Sequence, residues 1–243
     1  MYFDQRTSAE NKRLAELKGQ SQNVMTETDT SVNKSTDNGF KPVLDNEQEP
    51  KEVLEEYKKL LNENKKLIGW LTIDDTNIDY PVVQTSDNDY YQDHNLNQEY
   101  DKNGSIFMDK DCDVLQPSTN FILYGHHMKS GNMFGKLDLY ASESYGKKHS
   151  LIQFDTIYEK GVYQVMYVFR SRVYKEEDVV FKYYQFIDAN SEQEFDSNMA
   201  QMAKDSLYDT GVTAEYGDRL LTLSTCDYQE KDGRFVVVAK KIE

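Results

Sequence analysis

From residue 69 onward, short runs of apolar and β-branched residues recur between polar clusters. The runs are Gly69–Ile73, Ile78–Gln84, Ser105–Met108, Asn120–Tyr124, Ser150–Phe154, Val162–Tyr174, Tyr183–Ile187, Leu220–Cys226 and Arg234–Lys241. Each predicts a strand, and the turn residues between them predict a closed antiparallel barrel in a mainly β (α+β) chain. Two stretches instead carry helical spacing. Pro50–Asn64 opens with Pro and acidic residues, turns to lysines, and sets Val53, Leu54, Tyr57, Leu60 and Leu61 on one face. Ser191–Leu207 begins with Ser, has Glu194 at the capping-box position, and lines up Phe195, Met199, Met202 and Leu207. Shorter helices are predicted over Met133–Leu139 and Glu143–His149. The tyrosines read as half-buried strand residues in preference to a stacking surface.

The pattern fails before residue 50. Ser21–Gly39 is rich in Ser, Thr, Asn and Asp and nearly lacks large apolar residues, so it cannot offset its ordering entropy. Residues 1–49 are therefore expected to be a flexible polar stalk, with a short helix over Ala9–Lys18, and residues 50–243 to be one folded domain. A recognition tail is the alternative. No apolar run approaches the roughly 18 residues of a spanning helix.

Composition narrows the function by exclusion. The 243 residues carry a net charge of −15, which argues against binding nucleic acid or anionic lipid through the overall field. Two cysteines give no disulfide framework, and neither CxxC nor His/Cys ligand spacing suggests a metal, so no cofactor is expected.

The chemistry sits at strand ends. Leu220–Cys226 delivers a cysteine at its exit, and Arg234 heads the next run after a polar loop ending in Asp232-Gly233. Paired antiparallel, Cys226 and Arg234 lie opposite each other with Cβ atoms roughly 5 Å apart. The thiolate is the reactive form of cysteine, and a nearby cation favours it. Asn120–Tyr124 likewise delivers His126 and His127 through Gly125. A cysteine nucleophile, a histidine acid or base and an arginine for oxyanion charge are the parts of a thiol acyl-transfer site. A buried strand cysteine is the plainer alternative.

Three segments, Leu223-Ser224-Thr225-Cys226, Tyr124-Gly125-His126 and Gly233-Arg234-Phe235-Val236-Val237-Val238-Ala239, resemble the signature of the sortases, and their order along the chain agrees. A papain-like protease would place Cys before His. Trp70–Ile73, Ile78–Gln84 and Asp87–Tyr91, with the two long helices, resemble class B. One departure is Gln92, where relatives more often carry an apolar residue; it bears on the shape of one groove wall.

The resemblance implies a sortase-type barrel of about eight strands, with an N-terminal helix and a helical insertion before the cysteine strand. It selects His126, Cys226 and Arg234 as catalytic, and strand alternation independently puts His126 on the face of Tyr124, with His127 opposite. Asn88, Tyr124, Ser224 and Asp227 are the substrate-groove candidates. Against these stand an Asx turn at Asp87-Asn88, packing of Tyr124, a satisfied Ser224 hydroxyl and loop hydrogen bonding by Asp227. Cys112, among Asp109, Asp111 and Asp113, reads as an incidental loop cysteine, and His94 and His149 as surface residues.

The implied partners are secreted proteins with a C-terminal sorting pentapeptide and an amine of the peptidoglycan stem or cross-bridge. The implied location is the extracellular face of a Gram-positive cell membrane, on an ectodomain whose membrane helix is not in this chain. A cysteine hydrolase with the same triad, or a non-catalytic wall-associated barrel, remains the alternative.

Overall fold

A computed structural model describes residues 2–27 and 51–243. Eight strands form it: β1 (Leu67–Thr72), β2 (Asp79–Val83), β3 (Ile106–Met108), β4 (Asn120–Tyr124), β5 (Leu151–Thr156), β6 (Val162–Arg172), β7 (Leu220–Asp227) and β8 (Gly233–Lys241). They close into a barrel in the order β1-β2-β3-β4-β7-β8-β6-β5. The period of two fills its interior with Leu71, Phe121, Leu123, Phe154, Leu221, Leu223 and Val237. β7 and β8 are also covered outside, which is why they read as unbroken apolar runs. Leu220, Val236 and Val238 pack against Phe195, Met199 and Met202 of α4 (Glu192–Asp205).

The expected barrel is present, with an amendment to its pairing. β2 with β3 and β4 with β7 run parallel, and the remaining pairs antiparallel. Alternation along a strand is the same in both arrangements, so the pattern could not distinguish them.

Other differences are local. Tyr183–Ile187 is not a strand but a 3-10 turn at Tyr183–Gln185, because its apolar side chains pack onto Phe169 and the α4 cluster outside the ladder. The helix expected from Met133 is a 3-10 turn over Leu137–Ala141, and Met133 has a φ of 52°, outside any right-handed helix. α3 spans Glu143–Lys148 and α2 spans Glu55–Glu63, starting after the expected Pro50.

The first 27 residues differ most. α1 spans Tyr2–Glu27, including Ser21–Glu27 of the stretch expected to be flexible. Leu14 is buried with Tyr57 and Leu60 of α2 and Trp70 of β1, and Thr7 donates to the buried Asp101 carboxylate at 2.8 Å. Docking to the domain supplies what the polar sequence lacks. The stalk expected over residues 28–49 lies outside the described residues. No described helix is long and apolar enough to cross a membrane.

α4 gives the simplest stability test. Ser191 caps it, its Oγ accepting from the Glu194 N–H at 3.2 Å. Ser191→Ala is expected to cost about 1 kcal/mol, measured as a lower denaturant midpoint at unchanged slope. An unshifted midpoint would show that the cap contributes nothing.

Candidate active site

β7 lies between β4 and β8, and its two registers assemble the site. On one side Tyr124 pairs with Ser224 in parallel register. Beyond that pair, the Gly125 N–H donates to the Ser224 carbonyl at 3.2 Å and Thr225 Oγ1 donates to the Gly125 carbonyl at 2.7 Å. His126 follows directly, where β4 has ended and the chain turns, its carbonyl accepting from the Met128 and Phe134 N–H groups at 3.1 and 3.0 Å. On the other side Cys226 pairs with Arg234. The exit of β4 thus delivers His126 to the same end of the barrel as the Cys226–Arg234 pair.

All three line a cleft of about 350 Å³, together with Asn88, Tyr124 and Ser224. The His126 Nε2 donates to the Gln92 carbonyl at 2.5 Å; a carbonyl only accepts, so Nε2 carries the proton. Arg234 Nη1 donates to the Gly233 carbonyl at 2.9 Å, fixing the guanidinium at the head of β8.

Beneath the cleft the polar groups are paired. Ser224, 1% exposed, shares a 2.7 Å hydrogen bond with the Tyr183 hydroxyl. Tyr124 donates to Asp109 at 2.8 Å, and burial, followed by that carboxylate's charge, pushes the Tyr124 hydroxyl well above its usual range. The Asx turn is made by Asp87, whose Oδ1 accepts from the Asp89 and Tyr90 N–H groups at 2.9 and 2.7 Å. Asn88 is thereby left to bond Asp109 at 2.9 Å.

Asp227 stands apart from the other groove candidates. It follows Cys226 by one residue, so alternation turns it away from the cleft, where its carboxylate accepts from Arg170 Nε at 2.8 Å. His127 is half-buried; its Nδ1 donates to the Cys226 carbonyl at 3.1 Å and its ring packs 5.3 Å from that of Tyr228. Cys112 lies in the β3–β4 loop, as expected, but is buried there: it is 5% exposed, and burial pushes its thiol up to about 12. His149 is likewise buried, its ring tilted against that of Tyr145 at 4.3 Å and bonded to the Asp74 carbonyl at 3.1 Å. His94 is half-buried against the Tyr90 ring at 4.1 Å.

Asp109, Tyr183 and the Gln92 carbonyl were not legible as site groups. In the sequence Gln92 stands out only as a departure, Tyr183 falls in a predicted strand, and Asp109 is one of the carboxylates around Cys112. Among the described residues no cluster of three or more His, Cys, Asp or Glu side chains is arranged to hold a metal ion.

The contrast between the cysteines is directly measurable. A small thiosulfonate near neutral pH should label one thiol per folded chain, at Cys226, and two after unfolding. Labelling of Cys112 in the folded protein would contradict its burial.

The sortase-domain family model matches residues 71–242. Sortase B of Listeria monocytogenes is 36% identical over 197 residues, covering 79% of this chain and 76% of that protein. A Staphylococcus aureus sortase B–substrate complex has a similar fold, with a TM-score of 0.79 at 28% identity, covering 100% of this chain and 99% of that one. Sortase B from B. anthracis, in complex with AAEK1, gives a TM-score of 0.70 at 39% identity, covering 81% and 88%. The family match runs from within β1 to beyond the last strand, and the chain belongs to the sortase family as a class B cysteine transpeptidase.

Proposed function

We propose that this enzyme cleaves the C-terminal sorting pentapeptide of a secreted protein after its Thr, and joins the Thr carboxyl to an amine of the peptidoglycan stem or cross-bridge. The Cys226 thiolate attacks the Thr carbonyl carbon, and the new oxyanion is held by Arg234 and backbone N–H groups. As the tetrahedral species collapses, the C–N bond breaks and His126 gives a proton to the leaving amine. The acceptor amine then attacks the thioacyl carbon, losing a proton as the C–S bond breaks and Cys226 is released.

The observation that carries this reading is that His126, just past β4, and the paired Cys226 and Arg234 of β7 and β8 line one cleft. A plainly packed cysteine would have no such neighbours on both strands. Asn88 and Tyr124 form the cleft wall that meets the peptide, with Ser224 bonded to Tyr183 beneath it; Asp227 braces the hairpin through Arg170. A sortase B relative has been solved as a substrate complex, which supports a peptide in this cleft. The resemblance to class B favours an Asn-Pro-x-Thr-Asn pentapeptide or a Pro-x-Thr-Gly variant. The site of action is the extracellular face of a Gram-positive cell membrane, with residues 50–243 as the catalytic domain.

Turnover of such peptides, with and without an added amine, tests the reading. Cys226→Ala should abolish cleavage with the fold retained; substantial remaining activity would overturn the assignment. An amine-linked product should replace the hydrolysis product as amine is added. An amine-independent product ratio would instead make this a hydrolase.

The flanking residues make a second test. His126→Ala should lose at least about 10²-fold in rate, the low end for a lost acid–base group, and His127→Ala far less. Reversed losses would move the catalytic assignment by one residue. Arg234→Lys keeps the charge but loses the planar fork, and a loss on the order of 10²-fold is expected, as for a removed oxyanion donor. A variant within a few-fold of wild type would reduce Arg234 to a bulk charge.

A further inference from the structure

We infer that Asp109, the residue after β3, is a positioning residue that sets the hydrogen-bonding polarity of the cleft wall through Asn88 and Tyr124. This rests on the cleft being the peptide site. Asp109 is 4% exposed and does not itself line the cleft. Its Oδ2 accepts from Asn88 Nδ2 at 2.9 Å and from the Tyr124 hydroxyl at 2.8 Å, and its Oδ1 accepts from the Asp111 N–H at 3.0 Å. The segment is anchored by its backbone: the Asp109 N–H donates to the Ile122 carbonyl of β4 at 2.8 Å, and Gln84 Nε2 donates to the Asp109 carbonyl at 2.7 Å.

The consequence lies in what the two wall residues have left to offer. Asn88 is held from both ends, since its Oδ1 accepts from the Lys110 N–H at 2.8 Å. Its amide cannot flip without facing a donor with a donor. Tyr124 has spent its single hydroxyl proton on Asp109, so its oxygen meets the cleft as an acceptor. The wall therefore presents an N–H of Asn88 together with the lone pairs of Tyr124, which fits a substrate group carrying both an acceptor and a donor. A carboxylate is the residue type that can receive these two donors on one oxygen and the Asp111 N–H on the other. Without it the Tyr124 hydroxyl is free to turn outward and Asn88 to rotate, and the wall loses its fixed sign.

Asp109→Asn keeps the volume but leaves one acceptor oxygen where two are used, so its amide N–H faces either the Asn88 and Tyr124 donors or the Asp111 N–H, and the anchored geometry of the wall is lost in both cases. The expected result is a KM for the sorting pentapeptide raised about tenfold or more, on the scale of one hydrogen bond mispaired in a buried site. Expected alongside are a kcat within about threefold, a thiosulfonate labelling rate at Cys226 unchanged, and a double variant with Tyr124→Phe that loses less than the product of the two single losses. An unchanged KM, multiplicative losses in the double variant, or a joint fall of kcat, labelling rate and melting temperature would overturn the proposal; the last marks a merely structural residue. If Asp109→Asn does not fold, Tyr124→Phe and Asn88→Ala each remove one donor and should raise KM at kept kcat, and an unchanged KM in both overturns it. A wild-type enzyme that cleaves no sorting peptide would instead sink the reading of the cleft.

Discussion

The site depends on the register of one strand. β7 is paired on both edges, parallel to β4 and antiparallel to β8, and both ladders must hold for three side chains to line one cleft. The parallel pairing with β4 is decisive, since it brings the exits of β4 and β7 to the same end of the barrel. Were the two strands antiparallel, the histidine would leave at the far end, about 17 Å away along five residues. A slip of one residue along β7 would put Asp227 in the cleft and Cys226 against Arg170. The Thr225 hydroxyl on the Gly125 carbonyl ties the ladder just where the apolar pairing ends.

Packing makes that register hard to change. Inside, Leu221 and Leu223 meet Phe121 and Leu123; outside, Leu220 lies under α4 with Val236 and Val238. A strand with two apolar faces has no solvent side to slip toward, but a slip would still carry Ser224 and Thr222 to the barrel interior and strand their hydroxyls. Thr222 donates to Asn120 at 2.8 Å and Ser224 is bonded to Tyr183, so both are satisfied only in the observed register. The stability of the barrel and the geometry of the site therefore rest on the same contacts. Elsewhere the acidic surface leaves the cationic Arg234 as a local feature, not part of a basic field.

The strands and helices that carry the site were legible because each has a strong local pattern, and the pairing of Cys226 with Arg234 followed from a hairpin with an Asp-Gly turn. What was not legible depended on contacts between distant segments. Parallel pairing leaves no trace in alternation. Cys112 reads as an incidental loop cysteine and His149 as a surface residue because their neighbours in sequence are polar, yet the fold turns Cys112 onto the Ile122 backbone and His149 against Tyr145. Asp109 sits in an acidic run that reads as a solvated loop, and only the fold shows Asn88 and Tyr124 converging on it. α1 docks although its sequence is polar because Leu14 packs on Tyr57 and Leu60 of α2, where tertiary contact overrides composition.

The central claim is that Cys226 forms a thioacyl link to a sorting peptide. The direct measurement is intact-mass and peptide-mapped mass spectrometry of the enzyme after incubation with a library of sorting pentapeptides and no added amine. The account predicts an adduct on the Cys226 peptide whose mass equals a substrate truncated after Thr. Cleavage with no adduct trapped under rapid acid quench, or an adduct on Cys112, would contradict it.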